Sequence, residues 1–208
     1  MAQYSQFFLQ PGAHIIVLGS VSALIAYTIA AVWVGRTRGP DWDAIVRRAT
    51  LFGVLGGTIE ALNIAIENGI LRAIHIPALP LVFMLTIFAS WGVAGFRGAR
   101  GRNSVRAGLL TAIASAAICM LIGVAAGFVI EFFAARPDPV YVATWGEFKR
   151  SGWTDARAFG LANTLDSGFT HLVIAPIVAL VVGGLGSLLA RIAYSKEDSI
   201  PRAGHSES

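Results

Sequence analysis

A chain of 208 residues has the length of one ordinary soluble domain, but 55% of this one is hydrophobic and only 13% is charged, with a mean hydropathy of +0.67. Soluble domains carry roughly a quarter charged residues, and here the few charges fall between long apolar blocks, so lipid is the solvent this chain needs. The net charge of +4 comes from short connections without interleaved aromatics or a binding module, which excludes nucleic acid as a partner and points to anionic lipid headgroups.

About 20 apolar residues at 1.5 Å each cross a hydrocarbon core of ~30 Å, and five blocks qualify. They cover about 15–34, 50–67, 79–96, 107–134 and 169–192. The first is preceded by no Lys or Arg and is longer than the core of a cleaved leader, so it reads as a span. His14 opens it.

The second block carries the most informative pattern. Gly53, Gly56, Glu60, Asn63 and Glu67 are spaced 3, 4, 3 and 4, which places them on one helical face. A carboxyl near the middle of an apolar span costs a few kcal/mol to insert, so Glu60 is expected to face protein or water rather than lipid. The same face, with Asn63 and Glu67 leading outward, is the candidate proton- or ion-binding site; Gly53 and Gly56 are expected to let another helix approach. The bland alternative is a neutral Glu60 that hydrogen-bonds a neighbouring helix and fixes packing.

A connection with Asn68-Gly69, His75, Pro77 and Pro80 leads into the third block. The fourth is longer than a span requires and should tilt or project. It holds Ser115, Cys119, Gly123 and Gly127 at four-residue steps and ends at Glu131. Small residues at this spacing are the dominant packing device in lipid, so Gly123 and Gly127 are read as a seam, whether for the second span or for a sister subunit. Cys119 is the single cysteine, so no intrachain disulfide can form and no cysteine cluster can hold a metal.

Residues 136–168 read as a long outer loop. Pro137-Asp138-Pro139 opens it, and Tyr141, Trp145 and Trp153 suit the headgroup zone. Thr154 looks like an N-cap with Asp155 in the first turn, which predicts a short interfacial helix running towards Leu165 and stopping or bending near Ser167-Gly168. The last block has Pro176, a candidate kink, and Gly183, Gly184, Gly186 and Ser187 near its far end. Residues 1–194 thus form one transmembrane domain, and 195–208 are read as a disordered cytoplasmic tail.

Orientation follows from Lys and Arg in the connections. Alternating sides puts eleven of them inside, at Arg36, Arg38, Arg47, Arg48, Arg97, Arg100, Arg102, Arg106, Arg191, Lys196 and Arg202. Five remain outside, at Arg72, Arg136, Lys149, Arg150 and Arg157. The expected architecture is therefore an all-α bundle of five spans in the inner (plasma) membrane, N-terminus outside and C-terminus cytoplasmic.

His14, His75 and His171 should then share the outer boundary with Glu131 and Asp166. Imidazole plus carboxylate is a zinc- or copper-competent set, but the spacings match no metal motif, and a plain interfacial polar belt is the favoured reading. The chain lacks a P-loop, G-x-S-x-G, H-E-x-x-H and a dinucleotide fingerprint; no cofactor is expected, and an enzyme is the weakest of three readings. The others are proton- or cation-linked transport or conduction through a homo-oligomer using Glu60, and a non-catalytic subunit packed against other membrane proteins.

Overall fold

The structure is a computed structural model and describes residues 7–36, 40–66, 78–130, 142–144 and 146–198. Among these it is all-helical. After a 3₁₀ turn at Phe7–Leu9 come α1 (Ala13–Arg36), α2 (Pro40–Ala65), α3 (Leu79–Arg100), α4 (Val105–Val129), the short α5 (Gly146–Ser151) and α6 (Ala156–Asp198). Four of these, α1, α3, α4 and α6, are long and apolar enough to cross a membrane, which fits an all-α membrane protein. Helix α2 is not among the four. At 26 residues it is longer than α1, α3 and α4, but Glu60 and Asn63 interrupt its apolar half and Asp43, Arg47 and Arg48 occupy its start.

The five long helices alternate in direction, and specific close approaches fix this. Gly53 of α2 lies against Ser115 and Ile118 of α4, Gly57 against Ile122, and Gly123 against Glu60, so α2 and α4 run parallel. Ala99 lies against Gly108 next to the turn, while Trp91 shares the core with Cys119 and Met120, so α3 runs against α4. Gly183 lies between Trp91 and Gly95, Ser187 reaches Gly95, and Ala99 and Arg100 share a small pocket with Ala190 and Arg191, so α6 runs parallel to α3. Finally Gly19 of α1 faces Phe169, and the hydroxyls of Ser20 and Tyr27 donate to the carbonyls of Leu165 and Leu172. Helix α1 therefore runs parallel to α6 and packs chiefly on it.

Glycine is what allows these approaches. A Cβ on Gly95 would stand 2.8 Å from the Gly183 Cα, and one on Gly57 would stand 2.7 Å from the Ile122 Cβ, closer than side chains tolerate. The Gly183, Gly186 and Ser187 cluster thus closes α6 onto α3 and α4. There Ser187 donates to the Gly95 carbonyl at 3.3 Å and to Gly183 of its own helix at 2.7 Å. Between this seam and the opposite end sits the main core, built around Ile87, Trp91, Ala116, Cys119, Met120 and Leu172.

The turn between α3 and α4 is tight: Asn103 adopts φ 49°, and Ser104 caps α4 by accepting from the Ala107 N–H at 3.3 Å. At the other end of the bundle Phe7, Ala13, Trp153, Ala158, Leu161 and Ala162 form a second core.

Several boundaries differ from expectation. Helix α6 is continuous from Ala156 to Asp198, 43 residues, so there is no separate interfacial helix ending at Leu165 and no break at Ser167-Gly168. Gly168 stays helical and faces Val124 of α4, where a Cβ would make ordinary contact at 3.5 Å. Residues 195–198, expected to be tail, continue the helix. The cap is Asp155, not Thr154: its carboxylate accepts from the Arg157 and Ala158 N–H groups at 2.9 and 3.2 Å. Thr154 is engaged elsewhere, as its N–H donates to Gln10 Oε1 at 3.0 Å. Trp153 is 9% exposed, held edge-to-face by Phe7 and Phe159, rather than offered to headgroups.

Candidate functional site

Helix α2 is built inside out. Leu51, Val54, Leu55 and Leu62 are exposed, while Gly53, Gly56 and Gly57 are buried. The small face meets α4, where Gly56 nests against Cys119 and against Ser90 of α3. Moving along the same face, the next residue to reach α4 is Glu60. A Cβ on Gly123 would stand 2.8 Å from the Glu60 Cγ, so the glycine makes room for the acid's stem. The seam foreseen on α4 therefore meets α2 within the chain at Ser115, Cys119 and Gly123. Gly127 is different: a Cβ there would meet nothing within 4 Å.

That emptiness is a cavity of about 380 Å³ between the ends of α2 and α4 and the first third of α6. Its polar lining is Glu60, Asn63, Asn163, Thr164, Ser167 and His171. Ile64, Met120, Val124 and Phe128 supply apolar wall, and Gly123, Gly127 and Gly168 leave the space unfilled. Asn163 also lines a second, wide-open cavity of about 400 Å³ with Gly146, Glu147 and Arg150. Asn163 thus stands between the Glu60 cavity and the end of the bundle where α5 lies. In the other direction the main core follows at once, since Met120 belongs to both, and beyond it comes the glycine–serine seam.

The polar groups already have some of their hydrogens committed. His171 Nδ1 lies 2.7 Å from the Ser167 carbonyl, so it carries the proton there and, in the neutral ring, Nε2 is left as an acceptor. The Thr164 hydroxyl donates to the Gly160 carbonyl at 3.1 Å. Asn63 Oδ1 is buried with no hydrogen-bond partner, a costly arrangement for an amide oxygen. Glu60 is half-buried.

Against known proteins, the chain matches no family model, no curated protein and no solved structure.

The residues singled out from sequence separate into three groups. Glu60, Asn63, Gly123, Gly127 and His171 share the cavity, and Gly53 and Gly56 lie on the same α2 face below it. His14 and Asp166 are exposed and do not line it. Glu67, His75 and Glu131 lie outside the described residues. Among the described residues, no three His, Cys, Asp or Glu side chains come together as metal ligands. His171 reaches Glu60's cavity because α6 starts earlier than expected. It is then 15 positions into the helix, roughly 22 Å along its axis, instead of at a span's mouth.

Asn163, Thr164 and Ser167 were missed by the sequence reading, although with His171 they make a stripe at 163, 164, 167 and 171 with helical spacing. Ending a short outer helix near Leu165 and opening the last span at 169 split this stripe and hid its periodicity.

Proposed function

We propose that this protein is a five-span membrane protein that takes up a proton or cation at Glu60 through a cavity open on the outer side. The observation that carries this reading is the single cavity uniting Glu60, Asn63 and His171, with Asn163 standing between it and the α5 end, while glycine–serine packing closes the opposite half. A deep acid in an apolar bundle is a functional hypothesis by default. Here it also has water-sized space, polar neighbours and a route in. A site reached from one side and closed on the other is the occupied half of a transport cycle or an entry vestibule.

The alternation of direction and the outward-facing leucines of α2 support its being the fifth span, and the arginines at the α3–α4 turn support a cytoplasmic placement for that end. The inner (plasma) membrane, with N-terminus outside and C-terminus inside, follows from the same rule.

Purified protein in liposomes should carry a proton or cation flux that Glu60→Gln removes. An unchanged flux in that variant, with the protein folded, would sink the reading. The alternative, a non-catalytic subunit of a larger assembly, draws on α1, whose Leu18, Ile25 and Ile29 are exposed. It gains nothing from the glycine stripes, because those of α2, α3 and most of α4 are consumed within the chain. A lone monomer by native mass measurement would count against that alternative and against an oligomeric transporter alike.

A further inference from the structure

We infer that the end of the bundle carrying the α3–α4 turn holds the phosphate of an anionic phospholipid, with Arg48 as its anchor and Arg47 beside it. Arg48 lies roughly 18 Å along α2 from Glu60 and does not line the Glu60 cavity. The two sites are independent of each other.

A Cβ on Gly101 would collide with both Nη atoms of Arg48 and stand 2.8 Å from its Cζ, so the guanidinium lies across the backbone that ends α3. There Nη1 is buried with no hydrogen-bond partner, although Arg48 as a whole is only partly buried. A charged donor left without an acceptor is costly, and a guanidinium presents its N–H groups as a fork that fits phosphate oxygens. The nearby α3 carbonyls are already in use: Arg97 accepts from the Gly101 N–H, and Ala99 accepts from those of Arg102 and Ser104. An acceptor from outside the chain completes the arrangement. Water supplies an oxygen without a charge, and the surroundings call for the charge as well.

Arg47, Arg97, Arg100, Arg102 and Arg106 occupy the adjoining ends of α2, α3 and α4. Among the described side chains at these ends Asp43 alone is acidic, and it is exposed. Arg100 and Arg102 have interactions of their own, so they contribute field, while Arg47 and Arg48 contribute the ligating groups. The ammonium of a zwitterionic headgroup would meet mostly arginine here, which selects a lipid with net negative charge.

The apolar surface says why the phosphate belongs to a lipid. Arg48, Leu51 and Leu55 follow at steps of 3 and 4 and so share a face of α2. Leu51, Val54 and Leu55 are exposed at 62%, 44% and 52%. An acyl chain laid along them brings its phosphate to Arg48, whereas a soluble phosphate ester leaves the stripe unused. Arg48 also offsets the negative end of the α3 dipole. Were that its whole role, losing it would weaken the fold and leave any lipid preference untouched.

The test is native mass spectrometry of the full chain released from detergent micelles. The probes are dioleoyl phosphatidylglycerol and, separately, dioleoyl phosphatidylcholine, which has the same chains and no net charge. Phosphatidylglycerol should be retained in clear preference, and Arg48→Gln should lower its retention about fivefold, the worth of one basic residue against an anionic lipid. Phosphatidylcholine should not respond to that change. Should Arg48→Gln fail to fold, Arg47→Gln provides an independent arm: Arg47 is exposed, so its loss spares the packing and should cost a similar factor. Lys149→Gln, on α5 at the opposite end, should leave the preference as it was. Equal retention of the two lipids, or a preference indifferent to both arginine substitutions, would overturn the inference. An equal loss with Lys149→Gln would do the same, since net charge rather than a site would then be at work. Glycerol 3-phosphate, the same head without chains, should not displace the lipid at equal concentration; displacement would make this a site for a soluble phosphate and remove the lipid.

Discussion

Tyr27 of α1 donates its hydroxyl to the carbonyl oxygen of Leu172, the one carbonyl in α6 that Pro176 leaves without its usual partner. In a helix the carbonyl of residue 172 would accept from the N–H of residue 176, and proline has none. In an apolar surrounding an orphaned carbonyl must be satisfied from elsewhere, and a neighbouring helix is the common solution. The same contact anchors α1, which also packs on α6 through Ala13, Gly19, Ser20 and Ala23.

This pairing makes a double-mutant cycle informative. Tyr27→Phe should lower stability by about 1 kcal/mol, because the carbonyl loses its donor. In a Pro176→Ala background, where the helix regains its own N–H, the same change should cost measurably less. Equal costs in the two backgrounds, read from thermal or denaturant unfolding in micelles, would show that the hydroxyl serves some other purpose.

How much of this could be read from the sequence depends on which period governed each segment. The face Gly53, Gly56, Glu60 and Asn63 was legible because glycine and acid interrupt an otherwise leucine- and isoleucine-rich helix at helical spacing. The direction it faces, towards Ser115, Cys119 and Gly123, was not, since two small-residue stripes state only that each wants a close neighbour. The helix expected towards Leu165 was cut short because Ser167-Gly168 looks like a break, whereas the helix runs on through both residues, with Gly168 facing Val124 of α4. Trp153 is the converse case. Its type suits an interface, but Phe7 and Phe159 are near enough to bury it, and nothing local in the sequence announces a contact spanning almost 150 residues.

Some of the glycines carry packing and others, Gly127 among them, do not. Gly95→Ala would force a methyl to 2.8 Å from the Gly183 Cα, where backbone rather than a flexible side chain must yield. Overpacking of this kind costs roughly 1–3 kcal/mol. Gly127→Ala points into open space and should be neutral or stabilising by up to about 1 kcal/mol through helix propensity. Matching melting temperatures for the two variants would contradict the close approach of α3 and α6.

The proposed orientation is tested with single cysteines in a Cys119→Ser background. Cysteine at Asn103, in the α3–α4 turn, should be shielded from a membrane-impermeant maleimide in intact cells and labelled after lysis. Cysteine at Glu147, on α5 beside the second cavity, should be labelled in both conditions. The reversed pattern would invert the topology; labelling of both positions in intact cells would place an even number of crossings between them and remove α4 from the spans.

The last prediction concerns the clamp that ties the N-terminal turn to the start of α6. Gln10 is 7% exposed, and its amide serves one residue twice: Oε1 accepts from the Thr154 N–H at 3.0 Å and Nε2 donates to the Thr154 hydroxyl at 3.3 Å. The aromatic core of Phe7, Trp153 and Phe159 lies beside it. Gln10→Ala would leave the Thr154 N–H without its acceptor, at a cost of about 1–3 kcal/mol, concentrated where α6 begins. Amide hydrogen exchange over 153–158 should then quicken by roughly tenfold or more. Exchange in the main core near Trp91 and Cys119 should stay as it was. Gln10→Glu keeps the acceptor for the N–H and lets the Thr154 hydroxyl donate in turn, so it should sit close to the wild type. Exchange unaltered by Gln10→Ala would mean that the aromatic contacts alone hold this end of the bundle together.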